Sequence, residues 1–181
     1  WFEKAGSGTF TLGGYIHIEE MQSDASDTVY PYRIHAADLD NDGDMDLIVR
    51  WVNDDDTYGT RASIHRNNGD DTFTTDVSQD VMDESKPTRD TEYYMASIAA
   101  DLDGDGYLGI VHALPRYDKL TWVRNLFMSV IEFSPTTIYD GDSGDPVMLL
   151  ETADLDGDGD VDVISWRDDD EKVIFFYQDS S

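Results

Sequence analysis

Three nine-residue segments, DLDNDGDMD (Asp38 to Asp46), DLDGDGYLG (Asp101 to Gly109) and DLDGDGDVD (Asp154 to Asp162), recur along the 181-residue chain. A repeat of this kind constrains the fold strongly, because each unit is one supersecondary element that must bury its apolar face on its neighbours. The flanks repeat as well. Each acidic segment follows a small or apolar approach (IHAA, SIAA, LETA) and leads into a strand-like run: LIVRWV, GIVHAL or VDVISW. A polar turn comes next (NDDDTYGT, PRYD, RDDDE), then a second strand-like run: ASIHRN, KLTWVRN or KVIFFYQ.

The two ends of the chain keep the same register. WFEKAGSGTF aligns with IHRNNGDDTF, placing Trp1 on Ile64, Gly6 on Gly69 and Phe10 on Phe73. Residues 1–181 are therefore read as a single repeat module, with approximate repeats at 30–77, 92–138 and 147–181, and with 1–16 as the matching end of a repeat. β-Branched and aromatic residues are frequent, Gly, Asp and Asn punctuate at short intervals, and no window carries a 3.6-residue apolar period, so the expected class is all-β. Ser78 to Thr91 is polar, contains a Pro and is expected to be a long loop.

Forty acidic and 12 basic residues give a formal net charge of -28. A surface of that sign repels phosphate backbones, which argues against nucleic acid as a partner, and self-repulsion opposes compaction unless cations neutralise part of it. There is no cysteine, hence no disulfide, thiolate metal site or Cys nucleophile. No stretch approaches the roughly 20 apolar residues of a membrane-spanning helix, so membrane insertion is not expected. The first residues lack an initiator Met and a signal-like apolar region, the expectation for a processed or excised chain.

Carboxylates at positions one, three and five of a tight loop can converge on one ion, while Gly at position six permits the turn. Position seven offers a backbone carbonyl and position nine a further carboxylate. The ligand sets are then Asp38, Asp40, Asp42, the Asp44 carbonyl and Asp46 in the first loop, and Asp154, Asp156, Asp158, the Asp160 carbonyl and Asp162 in the third. The second supplies Asp101, Asp103, Asp105 and the Tyr107 carbonyl, but has Gly109 at position nine and is incomplete. An all-oxygen, highly charged set suits Ca2+ better than zinc or copper. Acidic turns without an ion are the competing account, since Asp and Gly favour turns on their own. Two complete copies and one near copy in register favour the metal. A helix-loop-helix calcium hand is excluded, because position twelve is Val49, His112 or Ser165 where that motif needs Glu.

The three loops with their A-D-L-D-x-D-G lead-in resemble the FG-GAP or VCBS repeats of integrin-α-like β-propellers. The resemblance covers nearly the whole chain. It implies four-stranded antiparallel blades, Ca2+ held between two strands of a blade, and an extracellular or cell-surface scaffold, as in adhesion receptors, lectins and modules of secreted enzymes. Propellers close with about four to eight blades, so three repeats are expected to need the remaining blades of a longer chain, a second copy completing a ring, or an open filament.

No catalytic activity is expected. His17, His35, His65 and His112 are scattered, no Ser/His/Asp spacing stands out, and paired acids carry no information among 40 carboxylates. The aromatics Trp1, Trp51, Trp122, Trp166, Phe175, Phe176 and Tyr177 lie mostly in strands, and Trp122 aligns with Phe175. Packing between blades is their expected role, with stacking on sugar rings as the sharper alternative. The runs Asp54 to Asp56 and Asp168 to Asp170 read as solvated turns. The expected function is a non-catalytic, calcium-binding structural or adhesive unit with a glycan or extracellular protein as ligand. The alternatives are a lectin-like module and an accessory domain of a secreted polysaccharide-active enzyme.

Overall fold

The computed structural model describes residues 2–4, 6, 8–15, 29–53, 61–79, 96–114, 118–125, 136–141, 147–167 and 171–178. Among them there are thirteen strands and no helix: β1 (Phe2–Lys4), β2 (Phe10–Leu12), β3 (Val29–Ala37), β4 (Asp46–Asn53), β5 (Arg61–Asn67), β6 (Phe73–Gln79), β7 (Ser97–Ala100), β8 (Gly109–Leu114), β9 (Lys119–Val123), β10 (Thr136–Asp140), β11 (Val147–Ala153), β12 (Asp162–Arg167) and β13 (Lys172–Phe176). They form a two-stranded sheet β1-β2, four-stranded sheets β3-β4-β5-β6 and β7-β8-β9-β10, and a three-stranded sheet β11-β12-β13. Every neighbouring pair is antiparallel and consecutive in sequence, the arrangement that short connections allow. The all-β expectation is met, and the sheets do not close on one another.

Register carries the repeat into three dimensions. Ile48 faces Ile64 across β4-β5, Val111 faces Trp122 across β8-β9, and Ile164 faces Phe175 across β12-β13. Each residue of these pairs sits two positions along from the ninth loop residue or its cross-strand counterpart. The end alignment is legible too: Lys4 pairs with Phe10 in β1-β2 as Asn67 pairs with Phe73 in β5-β6.

Because side chains alternate across a strand, each sheet has two faces with different roles. The face of β3-β6 that bears Ile48 and Ile64 packs on Ile110 and Val123 of β7-β10. The opposite face of β7-β10, bearing Val111, Ala113 and Leu120, packs on Val147, Leu150 and Val163 of β11-β13. Tyr139 and Phe176 meet in this second layer, ring centroids 5.2 Å apart. The middle sheet is thus covered on both sides, and β8 is buried along its whole length. That is why GIVHAL reads as a continuous apolar run and does not alternate.

One part of the expected organisation shifts. β6 continues to Gln79, two residues into the segment read as a loop from Ser78, because its ladder with β5 runs on to Ala62. The rest of that segment, and the acidic runs 54–56 and 168–170, lie outside the described residues.

Candidate metal centres

Each acidic loop joins the first and second strands of its sheet: β3 to β4, β7 to β8 and β11 to β12. The loops close in one way. The carboxylate at position one accepts backbone hydrogens from further along: Asp38 from Asp42 and Gly43, Asp101 from Asp105 and Gly106, Asp154 from Gly157 and Gly159. The carboxylate at position five accepts from the amide at position seven: Asp42 from Asp44, Asp105 from Tyr107, Asp158 from Asp160. Positions four and six both take positive φ, at Asn41 and Gly43, Gly104 and Gly106, Gly157 and Gly159. Gly enters that region readily, and Asn and Asp most easily among side-chain-bearing residues. The requirement at position four escaped sequence reasoning, although the alternation of Asn with Gly there is its signature.

The result is three groups of converging carboxylates. Asp38, Asp40 and Asp42 each offer an oxygen within 4.8 Å of the others, as do Asp101, Asp103 and Asp105, and Asp154, Asp156 and Asp162. All the donors are oxygen and each group carries three negative charges, so the residues present fit a hard divalent cation. Asp158 lies outside the third group and Asp46 outside the first. The loop backbones run through Asp44, Tyr107 and Asp160, where carbonyl ligands were expected.

The ninth position has a second task. Asp46 is fully buried, and its two oxygens accept the amides of Leu39 (2.9 Å) and Asn67 (2.9 Å). Asp162 does the same for Leu155 (2.9 Å) and Gln178 (3.0 Å). Each carboxylate therefore ties its loop to the C-terminal end of the third strand of its sheet, Asn67 closing β5 and Gln178 lying two residues past β13. Burial raises the pKa of Asp46 above the usual range, against the pull of the Asn67 and Leu39 amides, and the charges of Asp40 and Asp42 add to the rise. In the second loop Gly109 leaves room for the Trp122 indole. There Asn125 takes over the tie, donating to Leu108 O (3.2 Å) and to Leu39 O of the first loop (2.6 Å). A further stitch runs from Asn41 Nδ2 to Gly106 O, 2.9 Å.

The loops differ in the counter-charge that the chain supplies. Arg66 reaches Asp40 at 3.2 Å. Arg124, at the equivalent place one sheet on, contacts both Asp103 (2.5 Å) and Asp105 (3.1 Å). The corresponding residue of the third sheet is Tyr177, which brings no cation. For Asp156 the Asp158 amide pulls the pKa down, yet desolvation and the charges of Asp158 and Asp162 outweigh it and the value rises. Asp103 is raised as well, by desolvation and then by Asp105, with Arg124 opposing.

Away from the loops, two Ser/His pairs resemble nucleophile and base. Ser63 Oγ lies 2.7 Å from His65 Nε2, and Ser97 Oγ lies 2.7 Å from His112 Nδ1. All four residues are buried, so no substrate reaches them. Trp51 Nε1 donates to the same Ser63 Oγ at 2.7 Å, and His65 Nδ1 meets Thr75 Oγ1 at 3.1 Å. These are hydrogen-bonded core groups, the ordinary fate of buried polar side chains. Comparison of the chain with protein-family models, curated proteins and solved structures finds no match.

Proposed function

We propose that this chain is a non-catalytic, calcium-binding repeat module of β-propeller type, serving as an extracellular structural or adhesive unit. The observation that carries this reading is the threefold recurrence of one loop geometry, with three carboxylates gathered at the same end of each sheet. In the first site Asp38, Asp40 and Asp42 hold the ion; in the third, Asp154, Asp156 and Asp162. A bound divalent cation supplies the positive charge that offsets the crowded carboxylates. Consecutive antiparallel sheets packed face on face are what a propeller arc requires, and the FG-GAP-like sequence pattern agrees with it.

Ca2+ acts here on stability. The loop joins the first two strands of a sheet, so an ion that binds only the folded loop adds its binding free energy to folding. Isothermal titration of the chelator-treated chain with Ca2+ tests the proposal: saturable heat, lost in the Asp38→Ala/Asp154→Ala double variant, is expected, and heat unchanged by that double variant would refute it.

A second reading, a carbohydrate-binding lectin-like module, is favoured by one observation: Trp166, Phe175 and Tyr177 are exposed. Such rings can stack on sugars. Its mark would be sugar-dependent quenching of Trp fluorescence.

A further inference from the structure

The odd and even positions of the first acidic loop serve different neighbours. Asp38, Asp40 and Asp42 converge on one point, while Leu39 and Asn41, the residues between them, reach the second sheet. Leu39 is 3% exposed and shares one apolar layer with Ile110 of β8 and Val123 of β9. Its amide donates to Asp46 Oδ2 (2.9 Å), and its carbonyl accepts from Asn125 Nδ2 (2.6 Å). Asn41 Nδ2 donates to Gly106 O of the second loop (2.9 Å).

Asn125 lies two residues past β9 and is buried. Its amide nitrogen serves two carbonyls at once, Leu39 O in the first loop and Leu108 O (3.2 Å) in the second. The two loops are thus joined at two places, Leu39 to Leu108 through Asn125 and Asn41 to Gly106. Both anchors in the first loop stand between converging carboxylates. Gly106, where one tie lands, donates its own amide to Asp101 Oδ2 (2.9 Å), a bond that closes the second loop. A shift of Asp38 to Asp42 therefore either carries Gly106 and Leu108 along or breaks hydrogen bonds, one of them buried, and a buried group left without its partner is costly.

The second loop also has less need of a cation. Gly109 gives it no ninth carboxylate, and Arg124 lies against Asp103 (2.5 Å) and Asp105 (3.1 Å), so two of its three converging carboxylates already face a guanidinium of the chain. We propose that Asn41 and Asn125 pass the order of the first loop to the second: with a divalent cation held by Asp38, Asp40 and Asp42 both loops are fixed, and the second takes no ion of its own. The inference rests on the calcium reading and makes Asn41 and Asn125 positioning residues of the first site. By linkage, whatever fixes the second loop also favours binding at the first.

Amide hydrogen exchange of the full chain, in Ca2+ and in chelator, tests it. The sixth residue of each loop is the reporter, since Gly43, Gly106 and Gly159 each donate to the carboxylate at position one. Val111, in the buried strand β8, reports global unfolding and is the reference. Relative to it, Ca2+ is expected to slow both Gly43 and Gly106 by about fivefold or more, the lower end of usual coupling. Asp40→Asn is expected to abolish both responses and to leave that of Gly159. Asn41→Gly/Asn125→Ala is expected to keep the Gly43 response, which also shows the variant to be folded, and to lose that of Gly106. Asn41→Gly alone installs the residue that both other loops carry at this place; it is expected to diminish the Gly106 response, and it serves if the double variant does not fold. A Gly106 response that survives Asp40→Asn overturns the proposal, because the second loop then holds its own ion, and one that survives loss of both ties does the same. So does a Gly106 amide indifferent to Ca2+ where Gly43 responds. Indifference of Gly43 and Gly159 alike marks failure of the calcium reading itself, and this inference falls with it.

Discussion

Gly109 and Trp122 share one space: a Cβ on residue 109 would run into the indole Nε1 and stand 2.8 Å from Val123 O. The equivalent residues Asp46 and Asp162 are buried carboxylates that clamp their loops. The second loop has exchanged that carboxylate for an aromatic filler, which also packs against the third sheet.

Restoring the missing acid should therefore harm the protein. Gly109→Asp is expected to cost about 1–3 kcal/mol, the usual penalty of overpacking, and Trp122→Ala is expected to be tolerated better in that background than in the wild type. Urea unfolding of the four proteins of the cycle measures both. A Gly109→Asp chain as stable as the wild type would show that the indole does not set the choice of glycine.

Asp46→Asn should destabilise the chain even with all divalent metal removed. Its oxygens serve the Leu39 and Asn67 amides at once, and an Asn has only one acceptor oxygen. A loss of about 1–3 kcal/mol is expected for a buried group left without its partner. Unfolding in chelator is the measurement; a loss seen only in calcium would make Asp46 a ligand and nothing more.

The third loop should depend on metal more than the second. Arg124 already neutralises Asp103 and Asp105, whereas Tyr177 leaves Asp154 and Asp156 without a cation from the equivalent place. Asp156→Ala is expected to remove most of one site's calcium-dependent rise in melting temperature and Asp103→Ala very little of it. Equal effects would count against the ranking.

Much of this was legible in the sequence. The loops, the strands around them and the end register all follow from the repeat, because Asp, Gly and β-branched residues act locally. What the sequence concealed depends on neighbours in space. Asp46 and Asp162 look like ninth ligands, and only the folded loop brings two amides onto each. Trp51 and Trp166 both trail an acidic loop, yet they stand five and four residues past the ninth position and so face opposite sides. Trp51 is buried on Ser63, and Trp166 is exposed. Sheet-facing parity decides that difference, and composition does not record it.

Acid should loosen the contact between the first two sheets. His112 is fully buried, and burial, followed by the charge of Arg50, holds its pKa well below 6.5. Arg50, itself buried, is pulled down to about 10. Below about pH 6.5 the unfolded chain takes up a proton that the folded chain refuses, so stability is lost as pH falls, by up to about 1.4 kcal/mol per pH unit for this group. The raised carboxylates act in the opposite sense, their folded forms taking up protons first. The comparison of wild type with His112→Gln isolates the histidine: the stability difference between the two is expected to change from pH 7.5 to pH 5.5, the wild type losing more. Parallel pH profiles would remove His112 from the account.

The central claim is that divalent cations hold the loops. Thermal melting of the full chain in excess Ca2+ and in chelator tests it most directly. At a hundredfold excess over Kd each site contributes about 2.7 kcal/mol, so two occupied sites should raise the melting temperature by roughly 10 °C or more in a chain of this length. Asp38→Ala/Asp154→Ala should abolish most of that rise. A melt that coincides in calcium and in chelator would contradict the account.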